Sequence, residues 1–327
     1  MSNLRRNVLL DNLKGILIFL VVFGHSMELM RDDFITARII YIFIYLFHMP
    51  VFVFISGYFS KNIIKGRNTA VKSLLMIFLF FNTIWNTIAL LSGKIDVFSF
   101  LIPGWALWYI LSMFFWKMML PDLLKIKRVF ILSLIFGVIA RLFSDFGTMM
   151  SLSRTITFLP FFLAGYFSSD IEIRKIKNDS KVVSIIILII VGIFAIFLGV
   201  SKVIPTELLW VDRPYNSFDM GTIPSIISSV VSYIIGFTSI YALINLAPTR
   251  ECALSKIGRN TFPVYILHTY LVVLLIGASS IIPFYELKLL VAFLGSLVIT
   301  FILSRDYVCD KFNKFIKNLT SMVAKGK

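Results

Sequence analysis

The 327 residues are 58% hydrophobic and only 15% charged, with 33 phenylalanines and a mean hydropathy of +0.90. A soluble domain is nearer half apolar and a quarter charged, so this chain carries more apolar surface than a soluble interior can hide. The long continuous apolar runs argue against a β-barrel, whose strands are short and alternating. The net charge of +15 fits the basic cytoplasmic loops of a membrane protein better than a nucleic-acid surface. Composition therefore predicts an all-α polytopic membrane helical bundle, with the lipid bilayer as partner and no nucleic acid.

A span needs about 20 mostly apolar residues. Stretches that qualify lie at about 9–30, 35–59, 71–92, 104–120, 128–144, 154–169, 182–201, 222–246, 261–282 and 284–304, about ten transmembrane helices in all. The fourth and sixth are short, and the fifth carries Arg141. With the N-terminus inside, about three quarters of the 32 lysines and arginines fall in alternate segments, as cytoplasmic loops require. These include Arg5 and Arg6, Lys61, Lys65, Arg67 and Lys72, Lys117 and Lys125, and Lys325 and Lys327 at the end. The alternation predicts that both termini are cytoplasmic. It also predicts one membrane domain over 1–304 and a basic tail over 305–327 that lies on the inner membrane surface. The first apolar run has no small-residue cleavage site after it, so it reads as a retained span rather than a signal peptide. Cys252 and Cys309 fall on the expected cytoplasmic side, where neither a disulfide nor a two-thiol metal site is expected. The largest outer loop, about 202–221, mixes Trp210, Asp212, Arg213 and Tyr215 with turn formers. It suits a lid or a carbohydrate-facing surface as well as an ordinary solvated loop.

Polar residues inside membrane helices are costly, so they mark sites. The first span keeps Asp11 and Lys14 near its inner end and His25 near its outer end. All three histidines of the chain, His25, His48 and His268, fall in expected spans. Imidazole titrates near neutral pH and can take a proton from a hydroxyl. A lone buried histidine is equally a neutral ring hydrogen-bonded to a neighbouring helix. His25 stands out because Glu28 follows one turn later, where it can orient the ring or share its charge. No two histidines share an i, i+4 face, so no metal site is expected. Asp11 and Lys14 can pair, snorkel to the interface or meet a cytosolic anion. At about 1.5 Å per residue, Asp11 is roughly 20 Å from His25. The two therefore form no dyad, and a site that used both would run through the membrane. Arg141 and Arg154 go against the charge trend on the outer side and call for a partner: Asp145, a bound anion or a lipid headgroup. Trp108 and Tyr109 open the fourth span as an interfacial aromatic belt or as a stacking surface for a sugar ring. Pro50 and Pro160 precede Gly57 and Gly165 in helices that can line a cavity. No phosphate-cradling glycine loop and no Gly-x-Ser-x-Gly elbow occurs.

Several blocks together resemble the acyltransferase-3 family of integral membrane acyltransferases, in its fucose 4-O-acetylase-like branch. They are Arg6 with Asp11-Asn12-Leu13-Lys14-Gly15 and Gly24-His25-Ser26, then Phe47-His48-Met49-Pro50 with Ser56-Gly57-Tyr58, then Trp105 to Tyr109. Arg154 with Phe158 to Phe162 and Gly165-Tyr166 follows, and then Gly258 to Thr261 with Tyr265 to His268. They run in the family's order over almost the whole chain. The resemblance implies transfer of an acetyl group from cytosolic acetyl-CoA, an unanchored donor substrate, to a sugar hydroxyl of a cell-surface or exported polysaccharide. It implies catalysis at His25 with Glu28. It assigns donor binding to Asp11, Lys14 and His268, and substrate binding to His48, Trp108, Tyr109 and Arg154. It also implies a carbohydrate acceptor, a bacterial inner or plasma membrane, and polysaccharide-biosynthesis enzymes as partners. Two other readings stay open: a polytopic exporter or flippase of a lipid-linked saccharide, and the same fold using succinyl-CoA or another acyl donor.

Overall fold

Inside hydrocarbon a backbone must satisfy its own hydrogen bonds, and apolar runs of this length do so as helices. A computed structural model describes residues 7–145 and 147–323, apart from the side chains of Met322 and Val323. Arg5, Arg6, Lys325 and Lys327, which enter the charge pattern above, lie outside the described residues. In chain order the helices are α1 (Val8–Ser26), α2 (Ile35–Tyr58), α3 (Ile63–Ala70), α4 (Met76–Leu91), α5 (Trp108–Leu123), α6 (Val129–Ile139) and α7 (Leu152–Phe167). They continue as α8 (Asp170–Asn178), α9 (Lys181–Ser201), α10 (Thr222–Leu246), α11 (Ala253–Arg259), α12 (Thr261–Ser279), α13 (Tyr285–Leu303) and α14 (Asp306–Val323). A π turn over Val71–Leu75 joins α3 to α4.

Every expected span contains a helix. Among the described residues, seven helices are long and apolar enough to cross a membrane, counting Ile63–Leu91 as one. The segments opened by α5, α6 and α7 are shorter, with 16, 11 and 16 residues. The fourth and sixth were already short in sequence. The fifth is cut by a 3-10 turn at Ala140–Leu142, where Arg141 sits. The long helices turn large apolar side chains outward. On α9, Ile186, Ile190, Ile193 and Phe197 are all exposed, an arrangement that only a hydrocarbon solvent rewards. The chain is thus a polytopic all-α membrane protein.

The helices fall into two compact units. The first comprises Met1–Ile55, Ser168–Leu209 and Tyr233–Lys311. At its centre α1 packs against α11, α12 and α13. Asn7 caps α1 by accepting from the Leu10 N–H. Backbone contact with α11 is made at two glycines. A Cβ on Gly258 would stand 1.7 Å from the Asp11 carbonyl oxygen, and one on Gly15 would stand 2.3 Å from that of Leu254. Asn12 closes the joint. Its amide donates to the carbonyls of Pro248 (2.8 Å) and Arg250 (2.9 Å), and its Oδ1 accepts from Ser255 Oγ (2.5 Å).

The second unit comprises Ser56–Phe167, Trp210–Ser232 and Phe312–Lys327. Here α5 packs against α3 and α7, and α6 against α7. Two look-alike stretches of the sequence, each ending Gly-Tyr-Phe-Ser, meet in this unit. Gly57 lies against the backbone of Phe162 and Tyr166, and the Lys61 ammonium donates to the Tyr166 carbonyl.

Candidate active site

His25 is the penultimate residue of α1. The helix ends earlier than the expected 9–30. Met27 and Glu28 turn their N–H groups onto the carbonyls of Gly24 and His25, each at 3.3 Å. These tighter three-residue bonds close the last turn, as helix ends commonly do. Glu28 therefore lies in the turn after α1, yet its Oε2 is still 3.5 Å from His25 Nδ1. The two side chains are 14% and 16% exposed. Ser26 pins this end of α1 to α13, accepting from Ser296 Oγ at 3.1 Å. Gly24 leaves room for the Tyr45 ring, whose edge is 3.0 Å from where a Cβ would stand.

The other two histidines come to the same place. The His268 ring centroid is 5.4 Å from that of His25. Tyr45 lies between His25 and His48, at 6.4 and 4.8 Å. His48 and His268 are buried, and each uses Nδ1 on a backbone carbonyl one turn back: Ile44 at 2.8 Å for His48, and Tyr265 at 2.7 Å for His268. A carbonyl can only accept, so Nδ1 carries the proton in both rings. His25 is the one histidine of the three with an accessible ring beside a carboxylate. Among the described residues no group of three or more His, Cys, Asp or Glu is arranged to hold a metal ion.

Behind Glu28 stands an ionic network that the periodicity of the sequence does not reveal. Arg31 is buried. It reaches Glu207 Oε1 at 2.5 Å, Thr206 Oγ1 at 2.8 Å, the Glu28 carbonyl at 2.7 Å and the Glu28 carboxylate at 3.9 Å. Arg38, also buried, binds Asp32 at 2.8 Å and the Ile204 carbonyl at 2.9 Å. Burial alone would raise the Glu207 carboxyl. The hydrogen bonds from its own backbone N–H and from Arg31 outweigh that and hold it below the usual carboxylate range. The sequence does carry one signal for it: Arg31 and Arg38, like Arg141 and Arg154, are arginines on the expected outer side, against the charge trend.

At the other end of α1, Lys14 pairs with Asp11 at 2.9 Å. His268, expected to share donor binding with these two, instead stands at His25, roughly 20 Å away along the helix.

The remaining candidates are in the second unit. The Arg154 guanidinium lies 5.0 Å from the Trp108 ring, donates to the Trp210 carbonyl at 2.8 Å and is 3.8 Å from Asp212. Trp108 also stacks on Phe158 at 5.3 Å, and Tyr109 shares a hydrogen bond with Ser56. Both aromatics are buried. They therefore form neither an exposed interfacial belt nor an open stacking face for a sugar. The loop over about 202–221 is tied down rather than merely solvated. Ser153 donates to the Val211 carbonyl at 2.8 Å, and Arg141 donates to that of Arg213 at 3.0 Å and lies over the Tyr215 ring.

Residues 7–305 match the model of the acyltransferase-3 family, described as an acyltransferase domain. The chain belongs to the acyltransferase-3 family. Its matched region is an acyltransferase domain carried by a polytopic membrane protein. A short part of the chain is also similar to the Nodulation protein NolL of Sinorhizobium fredii (strain NBRC 101917 / NGR234), 43% identical over 63 residues. That match covers 18% of this chain and 17% of the relative. No solved structure matches the chain.

Proposed function

We propose that this acyltransferase moves an acetyl group from cytosolic acetyl-CoA to a sugar hydroxyl of a cell-surface or exported polysaccharide, in the plasma membrane of a bacterium. The observation that carries the reading is the accessible His25 ring with Glu28 at 3.5 Å from Nδ1. A carboxylate there favours the proton on Nδ1 and leaves Nε2 as the base. His25 takes the acceptor hydroxyl proton as that oxygen attacks the thioester carbonyl. The C–O bond forms, the C–S bond breaks, and the departing CoA sulfur receives the proton. A positioned base of this kind contributes about 10²–10⁴-fold. Asp11 and Lys14, at the inner end of the same helix, meet the donor, and Arg154 supports the acceptor side.

The test is the O-acetyl signal of surface polysaccharide in cells carrying His25→Ala that still inserts normally. Its loss supports the assignment, and undiminished acetylation removes it. Supplying succinyl-CoA or longer acyl-CoA to purified protein decides the donor. No observation on the fold favours the exporter reading.

A further inference from the structure

A cavity of about 290 Å³ opens in the second unit between α3 and α5. Phe59, Ile63 and Leu120 form its apolar wall, and Ser60, Asn62, Lys65, Thr69 and Lys117 give it its polar groups. No acidic residue lines it. Many basic side chains on the side that the charge pattern makes cytoplasmic are already neutralised. Lys14 is held by Asp11, Arg67 and Lys125 by Asp122, and Lys256 by Asp306. The ammonium groups of Lys65 and Lys117, by contrast, have no hydrogen bond or ion pair with any described residue, yet they line the same cavity. Lys117 is half-buried, and its stem passes close to Gly66, where a Cβ would stand 3.9 Å from its Cδ. An ammonium drawn partly out of water without a counter-ion is costly, so the site wants an anion. The cavity also faces the first turn of α3, whose N-terminal dipole favours negative charge. The π turn that follows α3 is a feature frequent at functional sites.

We propose that this cavity binds the phosphate-bearing end of the acyl-CoA donor, with Lys65 and Lys117 as its cations. The inference rests on the donor reading above and names where the phosphates of that donor are held. At about 290 Å³ the cavity is at the small end of small-molecule sites. It therefore takes the charged terminus of a large donor and leaves the acyl arm outside.

The test is CoA binding by the full-length protein in nanodiscs of zwitterionic lipid. Lys65→Gln combined with Lys117→Gln should weaken CoA at least about tenfold, the loss expected for charge-assisted contacts. Lys65→Gln alone, at an exposed position that cannot unfold the chain, should weaken it a few-fold, and Lys117→Arg should preserve it. Inorganic pyrophosphate should compete with CoA on the parent protein. Equal CoA affinity in parent and double variant overturns the site. In a second set of nanodiscs that contain phosphatidylglycerol, loss of bound phosphatidylglycerol in the double variant with CoA affinity unchanged overturns it too, and assigns the cavity to a lipid headgroup. Failure of the parent protein to bind CoA at all strikes the donor reading itself and takes this site with it.

Discussion

The His268 imidazole stands 5.4 Å from the His25 imidazole, with Nδ1 committed to the carbonyls of Val264 and Tyr265. Its buried Nε2 has no hydrogen-bond partner among the described residues. A buried imidazole nitrogen left this way is an acceptor held beside the ring we assign as the base, and this arrangement points to a positioning role. His268→Gln should then lower kcat about tenfold with the donor KM unchanged. A rise in donor KM at constant kcat would instead restore His268 to donor binding, as the resemblance implied. Steady-state kinetics with acetyl-CoA as the varied substrate separates the two.

Glu28 gives a sharper expectation. Its carboxylate lies 3.5 Å from His25 and 3.9 Å from Arg31, so it links the proposed base to the buried ionic network. Glu28→Gln keeps the shape and removes the charge. It should cost about 10–100-fold in kcat, less than His25→Ala, because an orienting group contributes less than the base it serves. If Glu28→Gln transfers acetyl at the parental rate, the carboxylate has no part in the chemistry.

The network itself should show in acid. The folded Glu207 carboxyl is held below its ordinary value, so its contribution to stability is present above that ordinary value. It is lost as pH falls through the lower folded one. Thermal unfolding of parent and Glu207→Gln should therefore differ by a constant margin from neutral pH down to about 4.3, the ordinary glutamate value. The margin should close below that. A margin that changes between pH 6 and 8 would mean that another group carries the effect.

The helices were legible because an apolar run in a bilayer has one solution, and each expected segment holds one. What the sequence hid was pairing across long separations. Arg31 finds Glu207 176 residues away, and no periodicity encodes that. Asn12 read as one letter of a motif. In the structure it is the joint between α1 and the α10–α11 connection, bonded to Pro248, Arg250 and Ser255. The three histidines were visible as candidates, but their convergence was not, and Tyr45 between two of them carried no signal in an aromatic-rich helix. Glu28 was placed beside His25 by helical spacing, although the helix stops at Ser26 and a turn delivers it instead.

The glycine joint predicts a fold defect rather than a kinetic one. A Cβ at residue 258 would stand 1.7 Å from a backbone oxygen of α1, and backbone cannot swing aside as a side chain can. Gly258→Ala should force α11 away from α1 and destabilise the protein by about 1–3 kcal/mol or more. Gly277→Ala is the control, since nothing lies within 4 Å of a Cβ there. Thermal denaturation in detergent, followed by intrinsic fluorescence, checks the pair. Equal midpoints would mean that α1 and α11 are not held this closely.

Arg154 separates a structural from a substrate role. Carbonyls of Trp210, Val211 and Arg213 are taken by Arg154, Ser153 and Arg141, so the loop is held from three side chains. Val211 also sits at φ 57°, a strained conformation for a β-branched residue that persists only when its surroundings impose it. Lysine cannot reproduce the guanidinium fork that bonds a carbonyl, approaches Asp212 and covers Trp108 at once. Arg154→Lys should therefore release the loop. Limited proteolysis should cut faster between residues 210 and 220, and acceptor KM should rise while donor KM stays put. Lost transfer with an unchanged cleavage pattern would show that Arg154 acts on the substrate directly rather than through the loop it holds.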